Sequence, residues 1–107
     1  MMFSTQRKPT SVGEILQEEF LLPLNLKIND LAEILDVHRN TASNLVSNHS
    51  KVTLEMAVKL AKAFGTSPEF WINLQNAVDL WELNHNDRFQ QSLSKVKIAH
   101  YPPAFSV

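Results

Sequence analysis

Five polar side chains between residues 39 and 47 are spaced so that one helical face would carry them all. They follow the offsets i, i+1, i+4, i+5 and i+8 and are Arg39, Asn40, Ser43, Asn44 and Ser47. Arginine can donate two hydrogen bonds to guanine, asparagine can pair in the same way with adenine, and serine can bond to either. A solvated helix face usually carries Glu and Lys, because Asn and Ser compete with the backbone and weaken a helix. The pattern therefore predicts a face that reads bases in the major groove of DNA.

Two short apolar-periodic segments have to position this face. Residues 28–35 and 39–47 are each predicted to be helical, and only three residues separate them, which is typical of a helix-turn-helix. A small residue, Ala32, is expected where the two helices cross. The remaining inward positions are apolar and are Leu31, Leu35, Val37, Ala42 and Leu45. The alternative at this point is an ordinary helical hairpin in a small α domain.

Capping signals predict further helices before and after this pair. Ser11 and Glu14 form a capping box for a first helix, which runs to about residue 22 because Pro23 follows. Thr53 is the N-cap of a fourth helix, and Gly65 supplies the left-handed residue after its end.

A fifth helix is predicted from Ser67-Pro68-Glu69, which combines an N-cap, a proline at the first helical position and an acid in the first turn, to about Leu83. The remaining segment lacks a sustained helical stripe, and its alternation at Lys95–Ile98 is compatible with a short edge strand. The fold is thus expected to be all-α with five helices. The predicted parts are a flexible N-terminal arm at 1–10, a helical DNA-binding and dimerisation domain at 11–83, and a C-terminal extension at 84–107.

The charge of the chain is small but unevenly distributed. The net charge is −1, yet none of the eleven acidic residues lies between Val37 and Leu54. Basic or titratable side chains do occur in that stretch, and they are His38, Arg39, His49 and Lys51. A local positive patch on a nearly neutral body favours binding of specific phosphates over a general nucleic-acid coat.

Several function classes lack the residues that they need. The chain has no cysteine, which removes disulfides, thiolate metal sites and thiol nucleophiles and fits a cytoplasmic location. The four histidines have no metal-ligand spacing, and two distant glycines cannot form a phosphate-cradling loop. No metal, cofactor or enzymatic activity is therefore expected. No apolar run approaches the length of a membrane span, so no membrane partner is expected either.

Helix five is apolar on more than one face, which predicts a homodimer. A chain of 107 residues with one core cannot easily bury both faces and both tryptophans, and tryptophan is favoured at protein interfaces. The alternative is that both tryptophans close the core of the monomer. The predicted dimer contacts are Phe70, Trp71, Leu74, Val78 and Trp81.

Three segments resemble the HigA-type antitoxins, small members of the Xre/Cro-like helix-turn-helix class. They read VGEILQEEFLLPL, LAEILDVHRNTASNLV and GTSPEFWINLQNAVDLW. The third segment, at Gly65–Trp81, is the most specific, because generic phage-repressor-like domains do not carry it. The resemblance extends from about Val12 to Trp81 and implies a lambda-repressor-like domain of five helices.

The resemblance also implies partners and site residues. In that family a dimer binds a palindromic operator, represses its own operon and neutralises a HigB-type toxin, an mRNA-cleaving ribonuclease. The family's reading positions fall on the five polar residues above, with His38 and Thr41 at the edge on phosphates. Lys51 and nearby loop amides are expected to hold another phosphate, with Asn48 in a left-handed conformation. This chain departs from the family in having Asp36 where the turn commonly has glycine.

Two other functions remain open at this point. One is a stand-alone Xre-family transcriptional repressor with no toxin partner. The other is a protein-interaction module whose helix pair never contacts nucleic acid.

Overall fold

The computed structural model describes residues 7–100, and in this range the chain folds into six helices with no strand. The all-α class is therefore confirmed, although the number of helices is six and not five. No helix in this range is both long enough and apolar enough to cross a membrane. The helices are α1 at Val12–Ile15 with a π-helical continuation at Leu16–Leu21, α2 at Ile28–Leu35, α3 at Arg39–Val46, α4 at Leu54–Phe64, α5 at Pro68–Asn84 and α6 at Asp87–Leu93.

The predicted capping residues begin and end the helices as expected. The Ser11 hydroxyl accepts a hydrogen bond from the Glu14 amide at 3.1 Å, and Thr53 accepts one from the Met56 amide at 3.1 Å. Ser67 caps α5 in the same way, with Pro68 as the first helical residue. Gly65 ends α4 with φ of 69°, a left-handed conformation that costs glycine little.

The end of α1 differs from the ordinary α-helix that the sequence predicts. The Leu22 amide donates to the Gln17 carbonyl at 3.0 Å, and the Leu26 amide donates to the Leu21 carbonyl at 2.8 Å, each five residues back. A turn closed in this way brings residues five apart onto one face. Leu16 and Leu21 are both buried, at 0% and 1% exposure. The wide turn therefore lets both leucines reach the core.

The C-terminal extension contains the sixth helix, which the sequence analysis missed. Asn86 is its N-cap and accepts a hydrogen bond from the Phe89 amide at 2.9 Å. The predicted edge strand at Lys95–Ile98 is wrong: this segment pairs with no strand in the described chain, and Val96 and Ile98 are 68% and 86% exposed. Helix α6 has seven residues and only two apolar positions. A segment this short shows no helical periodicity of apolar residues, so the sequence does not predict it.

Trp71 is at the centre of the aromatic part of the core. It is 0% exposed, and its ring lies 5.4 Å from that of Phe20 and 6.4 Å from that of Phe64, centroid to centroid. Its indole N–H donates to the Thr66 hydroxyl at 2.6 Å. The predicted inward residues of α2 and α3 belong to the same buried cluster, and Val37 is partly buried against it. The buried ones are Leu31, Ala32, Leu35, Ala42 and Leu45.

Candidate nucleic-acid interface

The turn between α2 and α3 takes the left-handed conformation without a glycine. Asp36 has φ of 56° and ψ of 53°, and its own amide remains bonded to the Ala32 and Glu33 carbonyls. The Val37 amide also donates to Ala32, at 3.0 Å. Asp is among the residues that adopt this conformation at low cost. The departure at Asp36 therefore leaves the tight turn intact, and α3 begins three residues later.

Four of the five predicted reading residues are exposed: three lie on α3 itself, and Ser47 is its C-cap. Arg39, Asn40 and Asn44 are exposed, while Ala42 and Leu45 on the opposite face are 0% and 2% exposed. None of these three side chains forms a hydrogen bond or an ion pair with another residue in the range 7–100. Burial of the inner face thus fixes the helix, and the polar groups on the outer face remain available to a ligand.

The other predicted contact residues on α3 differ in how available they are. His38 is the exposed N-cap and makes no capping bond with its side chain, and Thr41 is exposed beside it. Ser43 is half-buried. The Ser47 hydroxyl donates to the Ser43 carbonyl at 2.9 Å and lies 2.8 Å from the Nδ1 atom of His49. Its predicted contact with a base stays a prediction, and it requires these local bonds to be exchanged.

The loop after α3 is attached to the start of α1. Asn48 adopts φ of 64°, which confirms the left-handed conformation predicted for it. Its side-chain oxygen accepts the Gly13 amide at 2.9 Å, and its side-chain nitrogen donates to the Ser11 hydroxyl at 2.9 Å. A Cβ atom at Gly13 would lie 2.0 Å from the Val46 carbonyl oxygen. Only glycine permits this approach, so the first helix holds the loop in place.

The second half of this loop is attached to α5. The Val52 amide donates to the Gln75 side-chain oxygen at 3.0 Å. The Lys51 ammonium group lies 3.1 Å from a carboxylate oxygen of Asp79, and 69% of its side chain is exposed. Lys51 was predicted to contact a DNA phosphate. That contact stays a prediction, and the side chain is paired with an acid that is distant from it in the sequence.

The chain segment that contains α3 exposes its basic and titratable side chains. His38, Arg39, His49 and Lys51 are all exposed, and no acidic residue belongs to the chain segment between Val37 and Leu54. Within the part of the chain that the structure describes, no group of His, Asp and Glu side chains is arranged to hold a metal ion. The site therefore offers hydrogen-bond donors and positive charge.

The predicted dimer contacts on α5 require a correction. Trp71 and Val78 are 0% and 8% exposed, so neither side chain lies on the surface of the single chain. For Trp71, the alternative that the residue closes the monomer core is the right one. Phe70 is 38% exposed and Leu74 is half-buried. The apolar residues that α5 exposes most, Leu80 at 60% and Leu83 at 39%, were not among the predicted contacts.

Trp81, the last of the predicted dimer contacts, has surroundings of its own. It is half-buried, and its ring stacks on that of His85 with centroids 3.9 Å apart. The Lys8 ammonium group lies 5.7 Å from the ring centroid and 3.3 Å from a Glu82 oxygen. The indole N–H is buried and has no hydrogen-bond partner in the described chain. A role for Trp81 in a dimer stays a prediction.

Comparisons with known proteins agree with this geometry. A family model described as helix-turn-helix matches residues 17–71. An uncharacterised HTH-type transcriptional regulator of Haemophilus influenzae is 76% identical over 87% of this chain and 87% of its own length. Antitoxin HigA-1 of Vibrio cholerae is 49% identical over 90% of this chain and 89% of its own length.

A solved structure shows the same fold next to DNA. It is the structure of the Pseudomonas aeruginosa antitoxin HigA with the higBA promoter. The two structures superpose with a TM-score of 0.76 at 29% identity, over 87% of this chain and all of the other.

Proposed function

Because the chain belongs to the helix-turn-helix family, we propose that it is an antitoxin that binds operator DNA as a homodimer and represses its own operon. In this proposal it also neutralises a HigB-type mRNA-cleaving toxin. The relative named antitoxin HigA-1 supports the assignment, as does the HigA structure with the higBA promoter. The contact residues proposed for DNA are His38, Arg39, Asn40, Thr41, Ser43, Asn44, Ser47 and Lys51.

The observation that carries the DNA-binding part is the exposed outer face of α3. Arg39, Asn40 and Asn44 are exposed on a helix whose opposite face is fully buried. Helices of this width fit the major groove, where each base pair shows a distinct pattern of donors and acceptors. In helix-turn-helix proteins the N-terminal residues of the second helix contact base edges. Arg39 and Asn40 are the first two residues of α3.

The test is a gel-shift titration with the DNA immediately upstream of the protein's own reading frame. The comparison fragment is a shuffled sequence of equal length and base composition. We expect the upstream DNA to bind more tightly at every salt concentration, since base contacts add to the phosphate contacts that both fragments share. Equal binding of both fragments would contradict operator recognition. If neither fragment bound, the protein-interaction module would be the remaining hypothesis.

Arg39→Ala is expected to weaken operator binding by about 1–3 kcal/mol and to relax the preference at one base pair. The reason is that a bidentate arginine–guanine contact distinguishes one base pair from the other three. The measurement is the same titration, repeated with single-base-pair variants of the operator.

Arg88→Ala is a matched control, because Arg88 carries the same charge and is exposed on α6, outside the candidate interface. It should leave both affinity and preference unchanged. If Arg39→Ala weakened operator and shuffled DNA equally, Arg39 would be a phosphate contact and not a reader of bases.

The toxin is expected to contact a surface away from α3. One candidate is the acidic face of α1, where Glu14, Glu18 and Glu19 are exposed and form no ion pair within residues 7–100. A ribonuclease that grips RNA must be basic, so these acids offer complementary charge. The other candidate is the C-terminal extension from Phe89 to Val107, where Val96 and Ile98 are exposed; its aromatic residues Tyr101 and Phe105 lie outside the described residues.

Deleting residues 86–107 is expected to abolish protection against the toxin and to leave operator binding intact. The apolar side chains of the extension would be lost, whereas α3 and the anchored loop would remain. The measurement is growth during co-expression with the protein encoded by the neighbouring reading frame, together with the gel shift. Full protection by the shortened chain would move the toxin contact to the helices. The absence of any neighbouring toxin would favour the stand-alone repressor.

A further inference from the structure

The contact between Lys51 and Asp79 joins a side chain of the candidate DNA interface to α5. The nitrogen of Lys51 lies 3.1 Å from one carboxylate oxygen of Asp79. We propose that Asp79 competes with DNA phosphate for Lys51 and thereby lowers the affinity of the protein for all DNA, whatever its sequence. This inference rests on the proposed function, since it requires that the α3 side of the molecule meets DNA.

The carboxylate is held in place more firmly than the lysine. Asp79 also accepts a hydrogen bond from the Gln75 side-chain nitrogen at 3.1 Å, and the oxygen of the same amide group accepts the Val52 amide. Its side chain is 30% exposed, against 69% for Lys51. Asp79 is thus a fixed acceptor beside the loop, and Lys51 is the mobile member of the pair.

The pair can be exchanged at low cost. An ion pair exposed to this degree contributes little to stability, because water screens the attraction and the long lysine side chain loses freedom. When Lys51 leaves, the Asp79 carboxylate still accepts the hydrogen bond from Gln75, so it does not lose all of its partners. A phosphate is a strong acceptor for an ammonium group. DNA can therefore take Lys51 from Asp79, and the affinity is reduced by the strength of the contact that is lost.

Salt dependence provides a signature of this exchange. A lysine that neutralises a phosphate releases counterions from DNA, which steepens the fall of affinity with salt by about 0.9 in the logarithmic slope. In the wild-type protein, Asp79 loses its partner at the same time and attracts a cation from solution. The two effects partly cancel. Without the charge on Asp79, the full release from DNA is expected.

The test is Asp79→Asn, which keeps an oxygen able to accept from Gln75 and removes only the charge. We expect about two- to fivefold tighter binding to both upstream and shuffled DNA, with a steeper salt slope by up to about 0.9. Lys51→Ala should weaken binding more in the Asp79→Asn background than in the wild type. Circular dichroism confirms that each variant is folded.

Glu82→Gln is the matched control. Glu82 lies one turn further along α5, and its carboxylate pairs with Lys8 at 3.3 Å. Removing its charge tests whether a less acidic α5 is sufficient to strengthen binding. The control should change affinity less than Asp79→Asn does, and Lys51→Ala should have the same effect with or without it.

Three results would overturn the inference. They are unchanged or weaker DNA binding by Asp79→Asn, an equal gain from Glu82→Gln, and an effect of Lys51→Ala that is the same in both Asp79 backgrounds. In each case the wild-type protein still binds its upstream DNA, so the proposed function stands. A wild-type protein that binds no DNA would instead overturn the proposed function itself.

Discussion

Replacing Leu80 with glutamate is expected to give a folded monomer whose operator affinity is lower by about 100-fold or more. Leu80 is 60% exposed on α5, so the glutamate is tolerated in a single chain. In a dimer paired through this face, the same change places a charge within an apolar contact. Each half-site then loses the high effective concentration that a joined partner provides. Sedimentation measures the oligomeric state and a gel shift measures the affinity.

Leu24→Glu is a matched control for the oligomeric state. Leu24 is 58% exposed and lies in the connection between α1 and α2, outside α5. It should remain a dimer. A Leu80→Glu protein that still sediments as a dimer would show that another surface joins the two chains, for example one that includes Phe70 or Trp81.

Trp71→Ala is expected to lower the free energy of unfolding of the chain by about 3–5 kcal/mol. The side chain is completely buried among Phe20, Phe64 and Phe70. Its removal opens a cavity in the core and leaves the Thr66 hydroxyl without the indole N–H. Urea unfolding monitored by circular dichroism gives the change.

Trp81→Ala provides the comparison within the same helix. Trp81 is half-buried and its indole N–H has no hydrogen-bond partner in the described chain, so less is lost and a smaller destabilisation is expected. If Trp71→Ala destabilised the chain no more than Trp81→Ala, Trp71 could not be the central residue of the core.

The parts of the fold that the sequence predicts well are those with local causes. A serine or threonine cap needs only the amide three residues later, so Ser11, Thr53 and Ser67 could each be placed without knowledge of the rest of the chain. The resemblance to HigA-type antitoxins is also confirmed.

The errors concern features that depend on packing. Helix α5 is apolar on several sides, so its periodicity cannot say which side meets α4 and which remains exposed. That choice buried Trp71 and exposed Leu80. The wide turns at the end of α1 likewise follow from the burial of both Leu16 and Leu21. This burial depends on the assembled core and has no local sequence signal.

For the candidate site, the polar face of α3 could be predicted from the sequence. The long-range contacts that hold the loop after α3 could not. Arg39, Asn40 and Asn44 are neighbours on one helix, so their common face follows from helical geometry alone. The bond between Gly13 and Asn48 joins residues 35 positions apart. The pairing of Lys51 with Asp79 depends in the same way on how α5 lies against the loop.

The attachment of Asn48 to the start of α1 has a consequence for local unfolding. The bond closes a loop of chain that contains α2, the turn and α3. Local opening of the end of α3 must therefore break the bonds from Asn48 to Gly13 and Ser11, so α1 and α3 are expected to open together as one cooperative unit. A ligand that binds only α3 would then slow hydrogen exchange at the Gly13 amide as well, although it touches no part of α1.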